Sequence, residues 1–438
     1  MSIPRPWVPE GAETFMQTLA HRFARQTPDE NERDLLAFVE ENRAIHERDC
    51  FNLNPATNTP NPKAEALLAS GIGHRPSLGH PGDKYEMGLE GIEKIEVLAA
   101  TLAAEVFGAR HAEIRVPSGQ LANLYAYMLA ARPGDTVFVP SAAVGGHFSH
   151  HAQGAAGLYG VQPHLMAFDA ARYTVDLDAL RRDALALRPK MITLGNSLNL
   201  FPHPIREVRA IADEVDALVL FDAAHLCGLI AGQAWQQPLR EGAHLMTMST
   251  YKSLAGPASG LILTDDADIA RRLDAIAYPG MTANFDAAKS AALAMTLLDW
   301  QSCGRDHAAQ MVATARALAE ALVARGLPVF ARDRGITQSH QFAIEAHAFG
   351  GGQAMSRCLR RANLLACGIG LPLPAIPGDL NGLRLGTPEL VRWGMGPQHM
   401  APLADFIADV LLGRRAPEDV AGEVSAYRRE FGRLHFVR

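Results

Sequence analysis

Lys252 stands in the run Thr247-Met-Ser-Thr-Tyr-Lys-Ser-Leu-Ala-Gly-Pro257, between an apolar segment, His244 to Met248, and a second from Gly260 to Thr264. If both segments are buried strands, the lysine is drawn into apolar surroundings, where a free ammonium is costly. Burial depresses a lysine pKa and leaves the amine nucleophilic, the state that forms a Schiff base with a carbonyl. The same run also suits an exposed turn carrying a solvated lysine, so the rest of the chain has to decide. Asp222 closes the apolar segment Ala217 to Phe221, where open α/β sheets present binding groups. An aspartate there also suits the cap of a following helix. Ser118, Gly119 and Gln120 lie between a short strand, Glu113 to Val116, and a helix from Leu121 to Ala131. Backbone N–H groups and a hydroxyl at a helix N-terminus suit a phosphate, although many such turns are plain connections. His147 follows two glycines in Gly145-Gly-His-Phe-Ser-His-His151. Three histidines admit a metal, but no cysteine or carboxylate nearby completes a set, and an aromatic lid over a cofactor accounts for Gly-Gly-His equally well.

In chain order, Ser118, Gly119, Gln120, His147, Ser197, Asp222, His225, Lys252 and Arg384 supply the group types that a pyridoxal 5'-phosphate site requires. The phosphate needs backbone donors and hydroxyls, and one ring face needs an aromatic partner. The ring nitrogen needs a carboxylate, the aldehyde a lysine, and an amino-acid carboxylate an arginine.

Strands alternating with helices must position these groups. After a helical stretch (12–49) and an irregular loop (71–88), a helix from Ile92 to Phe107 stops at Gly108. Strands are predicted at 113–116, 136–140, 190–195, 217–221, 244–250 and 260–264, with helices between several of them. This alternation implies a mostly parallel sheet, expected to hold seven strands, covered on both faces. Composition shifts near Gly304, where one helix is read as ending and another as starting at Asp306. The organisation expected is an N-terminal helical arm (1–60), a large cofactor-binding α/β domain (61–303) and a small α+β domain (304–438), the last with short strands at 341–344 and 383–385 alternating with helices around 352–366 and 398–413. A chain of 438 residues accommodates that division.

Hydrophobic content of 48% and charge of 20% fit a soluble protein. The net charge of −6 and the absence of a basic block argue against nucleic acid as a partner. No apolar run approaches the ~18 residues of a membrane span. The start, Met1-Ser-Ile-Pro-Arg-Pro, lacks the apolar core of a signal peptide. Five dispersed cysteines without a CxxC pair suggest free thiols. Together these point to the cytoplasm.

The motifs also carry a resemblance. Gly79-His-Pro-Gly-Asp-Lys-Tyr85, Pro117-Ser-Gly-Gln-Leu-Ala-Asn123, Arg132-Pro-Gly-Asp-Thr-Val, Gly145-Gly-His-Phe-Ser-His150, Ile211 to His225, Thr247 to Pro257 and Leu383-Arg-Leu-Gly-Thr-Pro388 agree in order and spacing. Residues 72–260 and much of 300–395 resemble the serine hydroxymethyltransferases and their aldolase and transaldolase relatives. These are fold-type-I pyridoxal-phosphate enzymes. The resemblance implies that Lys252 is the Schiff-base lysine, that Asp222 pairs with the ring nitrogen and that His147 stacks on the ring. Ser118, Gly119 and Gln120 would hold the phosphate, with Thr250 beside them, and Ser197 and His225 would lie near the ring hydroxyl. Arg384 would bind the substrate carboxylate, with Tyr85 and Glu86 also facing the substrate. It further implies a homodimer with composite sites, in which the Pro279–Gly280 loop, with Thr282, reaches the partner's phosphate.

Five positions depart from the folate-using pattern. Leu78 stands where a proton-transferring glutamate is found, Glu86 replaces the second of two tyrosines, and Tyr251 replaces a histidine. Ala258 replaces an arginine, and the segment 368–374 lacks asparagines. The cofactor groups are intact while groups tied to folate are gone. The reading is therefore an aldolase-type enzyme that breaks or forms the Cα–Cβ bond of a β-hydroxy-α-amino acid without folate. His225 or His147 is the candidate base. An α,α-disubstituted substrate such as α-methylserine is accommodated by the bulk lost near Cα. The alternatives are a tetrahydrofolate-dependent hydroxymethyltransferase and a transaldolase.

Overall fold

A computed structural model describes residues 3–438. Its centre is a seven-stranded sheet: β1 (His111–Val116), β2 (Thr136–Val139), β3 (Gln162–Leu165), β4 (Met191–Leu194), β5 (Leu218–Asp222), β6 (Leu245–Ser249) and β7 (Gly260–Thr264). The spatial order is β1-β7-β6-β5-β4-β2-β3. Only β7 runs against the others, pairing antiparallel with both β6 and β1. Strands β4, β5, β6 and β7 are buried along most or all of their length, as continuous Val/Leu/Ile/Met runs should be when helices cover both faces. The parallel register of β5 and β6 sets Asp222 opposite Thr247. The carboxylate, the turn after β6 and the lysine thus share the C-terminal edge of the sheet.

Helices Glu90–Phe107, Gly119–Ala130, Leu177–Leu187 and Ile205–Asp213 flank the sheet. The first ends as expected at Gly108, whose φ of 63° is the left-handed cap that glycine adopts without penalty. A three-stranded antiparallel sheet follows: β8 (Gln341–Glu345), β9 (Cys367–Ile369) and β10 (Gly382–Gly386), in the order β8-β10-β9. Cys367 and Ala343 lie on either side of Arg384 in this sheet.

Several details differ from the sequence reading. The two helices expected around Gly304 are one helix, Ala287–Ala324, so the expected boundary at 303/304 falls inside it. A glycine weakens a helix by about 1 kcal/mol but does not stop it. Here Leu293, Leu297 and Trp300 pack into the core of the large sheet, while Ala315, Leu318 and Leu322 pack into the second core. The helix expected at 352–366 ends at Arg361 and gives way to strand residues Leu364–Leu365, which pair in parallel with Phe51–Asn52. That pairing ties the segment after the N-terminal helices to the small sheet, although it reads as loop in sequence. Strand β9 was also missed, as was β3 at the edge of the large sheet.

The N-terminal helices Glu10–Phe23 and Pro28–Arg43 form as expected but bury none of their residues. Trp7, Phe15, Leu35 and Leu36 are exposed along them.

Candidate active site

The turn after β6 is pinned from several sides. Ala255 N–H bonds Lys252 O (2.9 Å) and Gly256 N–H bonds Thr250 O (2.8 Å). The Trp300 indole donates to Leu254 O (2.8 Å), and the Ser253 hydroxyl donates to His225 O (2.7 Å). Lys252 is buried, with Nζ 3.3 Å from His225 Nε2. Burial, reinforced by the Arg384 charge and opposed by Asp222, brings its pKa down to about 8. The lysine is thus a buried group with an appreciable neutral fraction, not a solvated turn residue.

Asp222 is held from three directions. His150 Nε2 lies 2.8 Å from Oδ2, the Asn123 amide donates to the same oxygen (3.0 Å), and Ala224 N–H donates to Oδ1 (2.9 Å). Burial alone would favour the protonated acid. The hydrogen bond and charge of His150, with those of Ala224 N–H and Asn123, outweigh it and hold the carboxyl below the usual carboxylate range. A further ring of contacts orients these partners: Tyr127 Oη to His150 Nδ1 (2.6 Å), Thr247 Oγ1 to Asn123 Oδ1 (2.7 Å), and the Asn123 amide to Ser149 Oγ (3.0 Å). Ser149 in turn meets His147 Nδ1 at 2.8 Å. Burial lowers the His147 pKa to about 4, so its imidazole is neutral.

Arg384 enters from β10. It is 7% exposed, donates from Nη1 to Ser197 O (2.5 Å) and from Nη2 to Cys367 Sγ (3.1 Å), and approaches His225 Nε2 at 3.4 Å. Its Nε has no partner among the described residues, and no acidic side chain pairs with it. Burial and the charges of Lys252 and Arg384 keep His225 neutral. Its Nε2 faces those two donors, so the ring proton belongs on Nδ1, which is buried without a partner.

Ser118 caps helix Gly119–Ala130, its Oγ accepting from Leu121 N–H (3.2 Å). A Cβ at Gly119 would fall 2.0 Å from Ser249 Oγ. Only glycine lets this helix start, with its unpaired N–H groups and Gln120, sit against the end of β6. These are residues of the kind a pyridoxal phosphate site needs: an ionised buried carboxylate, a lysine of lowered pKa, a helix start in close approach and an arginine without an acidic partner.

The structure therefore gathers Ser118, Gly119, Gln120, His147, Ser197, Asp222, His225, Lys252 and Arg384 around one sheet edge. Thr250 is beside Lys252, but its hydroxyl donates to the carbonyls of Pro257 (2.5 Å) and Ser259 (3.0 Å). Tyr85 and Glu86 belong to the hairpin Gly79–His80/Asp83–Lys84. Tyr85 is 80% exposed, and Glu86 Oε2 accepts from Leu78 N–H (3.1 Å). The Thr282 hydroxyl donates to Ala277 O (2.6 Å), close after Gly280 in the same turn. No hydrogen bond links these four to the lysine centre among the described residues. The histidine run also separates: His147 meets Ser149, His150 meets Asp222, and His151 meets Pro140 O (2.9 Å). Sequence reasoning did not assign Asn123, Tyr127, His150 or Thr247 to this site. Asn123 closes the Pro117–Asn123 motif and His150 lies three residues beyond His147, so both were within reach.

A parallel sheet with a buried lysine after one strand and a buried aspartate at the end of its neighbour defines a cofactor-dependent α/β enzyme of the fold-type-I kind. The chain belongs to the serine hydroxymethyltransferase family, whose model matches residues 29–407. It is 77% identical to an alpha-methylserine aldolase of Ralstonia sp. over 434 residues, 99% of each chain. It is 57% identical to an alpha-methylserine aldolase of Variovorax paradoxus, covering 99% of this chain and 98% of that one. It is 39% identical to a serine hydroxymethyltransferase of Methanopyrus kandleri, covering 88% and 91%. In fold it matches the crystal structure of an L-threonine transaldolase from Pseudomonas fluorescens, with a TM-score of 0.85 over 96% of both chains at 22% identity.

Proposed function

We propose that this protein cleaves α-methylserine, or a close β-hydroxy-α-amino acid, into an aldehyde and the shortened amino acid, using pyridoxal 5'-phosphate and no folate. The observation that carries the reading is Arg384, a buried cation beside Lys252 and His225 with no acidic partner, which suits a substrate carboxylate. The name of the relative at 77% identity supports the substrate.

When bound, pyridoxal phosphate supplies an electron-withdrawing ring conjugated to the substrate nitrogen. Lys252 would bind the aldehyde carbon, and the N-terminus at Gly119 and Gln120, with Ser118, would hold the phosphate. Asp222, kept ionised, would keep a proton on the ring nitrogen. His147 would cover the ring, and Ser197 and His225 would lie at its hydroxyl side. Arg384 fixes the carboxylate and so the orientation of Cα. A neutral imidazole, His225 or His147, takes the β-hydroxyl proton. The Cα–Cβ electron pair passes to Cα, the aldehyde leaves, and a proton returns to Cα. From α-methylserine the products are formaldehyde and alanine.

The protein works as a homodimer in the cytoplasm. A second copy would cover the exposed apolar side chains Trp7, Phe15, Leu35 and Leu36 of the N-terminal segment, and the loop carrying Tyr85 and Glu86, with the turn carrying Gly280 and Thr282, would reach the partner's site. Five cysteines without a disulfide accord with a reducing compartment. No described helix is long and apolar enough to cross a membrane.

One observation favours the tetrahydrofolate-dependent alternative. Glu86 Oε2 at 3.1 Å from Leu78 N–H returns a carboxylate to the neighbourhood of the position where the glutamate is lost. The test is formaldehyde release from α-methylserine with and without tetrahydrofolate, in the native protein and in Glu86→Gln. Equal rates support the aldolase. A large acceleration by tetrahydrofolate that Glu86→Gln abolishes establishes the alternative.

A further inference from the structure

Arg384 and Cys367 are direct cross-strand neighbours in β10 and β9. The thiol is engaged on two sides. Its Sγ accepts from Arg384 Nη2 (3.1 Å) and donates to Asn54 Oδ1 (3.4 Å). Asn54 is itself fixed: Oδ1 also accepts from Ala56 N–H (3.1 Å), and its own N–H donates to Asn52 Oδ1 (3.0 Å). Asn52 ends on Glu389 Oε2 (2.8 Å), which also accepts from Thr57 (3.1 Å). The segment holding Asn52 and Asn54 is bound to the small sheet through Gly386 N–H to Leu53 O (2.7 Å) and Leu53 N–H to Leu365 O (2.8 Å).

We infer that Cys367 is a positioning residue for substrate binding: its thiol, oriented by Asn54, fixes the guanidinium of Arg384 toward the substrate carboxylate. The inference rests on the reading that Arg384 receives that carboxylate. With the S–H directed at Asn54, a sulfur lone pair is left for Nη2. Among the described residues the other acceptors at the guanidinium are Ser197 O and, at 3.4 Å, His225 Nε2, both on Nη1, so Cys367 alone holds Nη2. A carboxylate at position 367 would neutralise Arg384 and compete with substrate, and an apolar side chain would free the guanidinium to turn. A thiol, a weak acceptor, holds the group while leaving its charge available.

The test compares Cys367→Ala, Cys367→Ser and Cys367→Asp in the cofactor-loaded enzyme. KM for α-methylserine is measured against kcat, and calorimetry gives the Kd of 2-methylalanine, which lacks the β-hydroxyl. Loss of one weak hydrogen bond that orients the guanidinium should raise KM and Kd in Cys367→Ala roughly 2- to 10-fold, with kcat nearly unchanged. Cys367→Ser should restore most of the affinity, because a hydroxyl donates and accepts in the same pattern. Cys367→Asp should weaken binding more than alanine does. Thermal unfolding of each variant identifies loss of fold. If Arg384→Lys raises KM and Cys367→Ala changes neither constant, the positioning role is wrong while the carboxylate reading stands. If Arg384→Lys itself leaves KM and Kd unchanged, the carboxylate reading fails and the inference goes with it. A serine variant as weak as alanine would also overturn it.

Discussion

Asp222 and Arg384 are both buried and both charged, but they differ in how the protein meets them. Asp222 takes hydrogen bonds from His150, Asn123 and Ala224, and those partners are oriented by Tyr127, Thr247 and Ser149. Arg384 has one carbonyl, one thiol and an Nε without partner. A buried ion is tolerated when its hydrogen bonds are complete, and an incomplete one is costly. The difference separates two tasks. The Asp222 end is finished before anything binds, as suits a group that sets the electronic state of a resident cofactor. The Arg384 end is left open, as suits a group that would receive the carboxylate of a substrate.

Breaking the finished end should have the larger effect. Asp222→Asn retains the shape but removes the charge that, on the proposed reading, keeps a proton on the ring nitrogen. Turnover should fall roughly 10²–10³-fold, in the range for a preorganised electrostatic group, while KM changes little. Native turnover in this variant would refute the role. Arg384→Lys acts at the open end. Losing a bidentate charged hydrogen bond should raise KM roughly 10- to 100-fold, and kcat should hold better than in Asp222→Asn. Matching kcat losses in both variants would erase the distinction between the two ends.

A smaller change probes the layer behind Asp222. His150→Gln retains a donor toward Oδ2 but removes the imidazole and its bond to Tyr127. One charge-assisted hydrogen bond is worth about 1.5–3 kcal/mol, so cofactor affinity should fall roughly tenfold or more. Equilibrium dialysis at fixed pH measures this, and undiminished affinity would mean that Asn123 and Ala224 suffice. Cofactor loading should itself depend on pH with a defined sign. With the Lys252 pKa near 8, the reactive neutral amine grows as pH rises. Loading of the cofactor-free protein should therefore speed up from pH 6.5 to about 8 and then level off.

The two ends were not equally legible in sequence. Asp222 and Lys252 each terminate an apolar strand within a few residues, so local pattern found them. Their supports are distant: Asn123 is 99 residues from Asp222, and Asn54 is 313 from Cys367. No periodicity encodes a contact of that span. Strand β9 was missed because it is only three residues long and Gly368 interrupts it, a weak signal. The break read at Gly304 failed for the opposite reason. A local irregularity was visible, but packing against two cores overrode it.

The last prediction concerns Glu389, which ends the chain of contacts behind Arg384 and contrasts with Asp222. Both carboxyls are buried, but Asp222 faces a histidine while Glu389 Oε2 accepts from the neutral groups Asn52 and Thr57. Burial dominates and raises the Glu389 pKa to about 7, against the partial opposition of Thr57, the Arg428 charge and Asn52. The folded state therefore binds the proton more tightly than the unfolded chain, whose glutamate titrates near 4.5. This stability is fully present below pH 4.5 and is lost as pH rises through 7, when a carboxylate must be held in the core. A shift of this size is worth about 3 kcal/mol at its limit. Glu389→Gln stays neutral at every pH and retains an acceptor for Asn52 and Thr57. Urea unfolding at pH 5 and pH 8 should show the native protein losing stability between the two while the variant loses less, other titrations being common to both. The variant should match the native protein at pH 5 and exceed it at pH 8. Parallel pH dependences would show that Glu389 remains ionised, and the two buried carboxyls would then be treated alike.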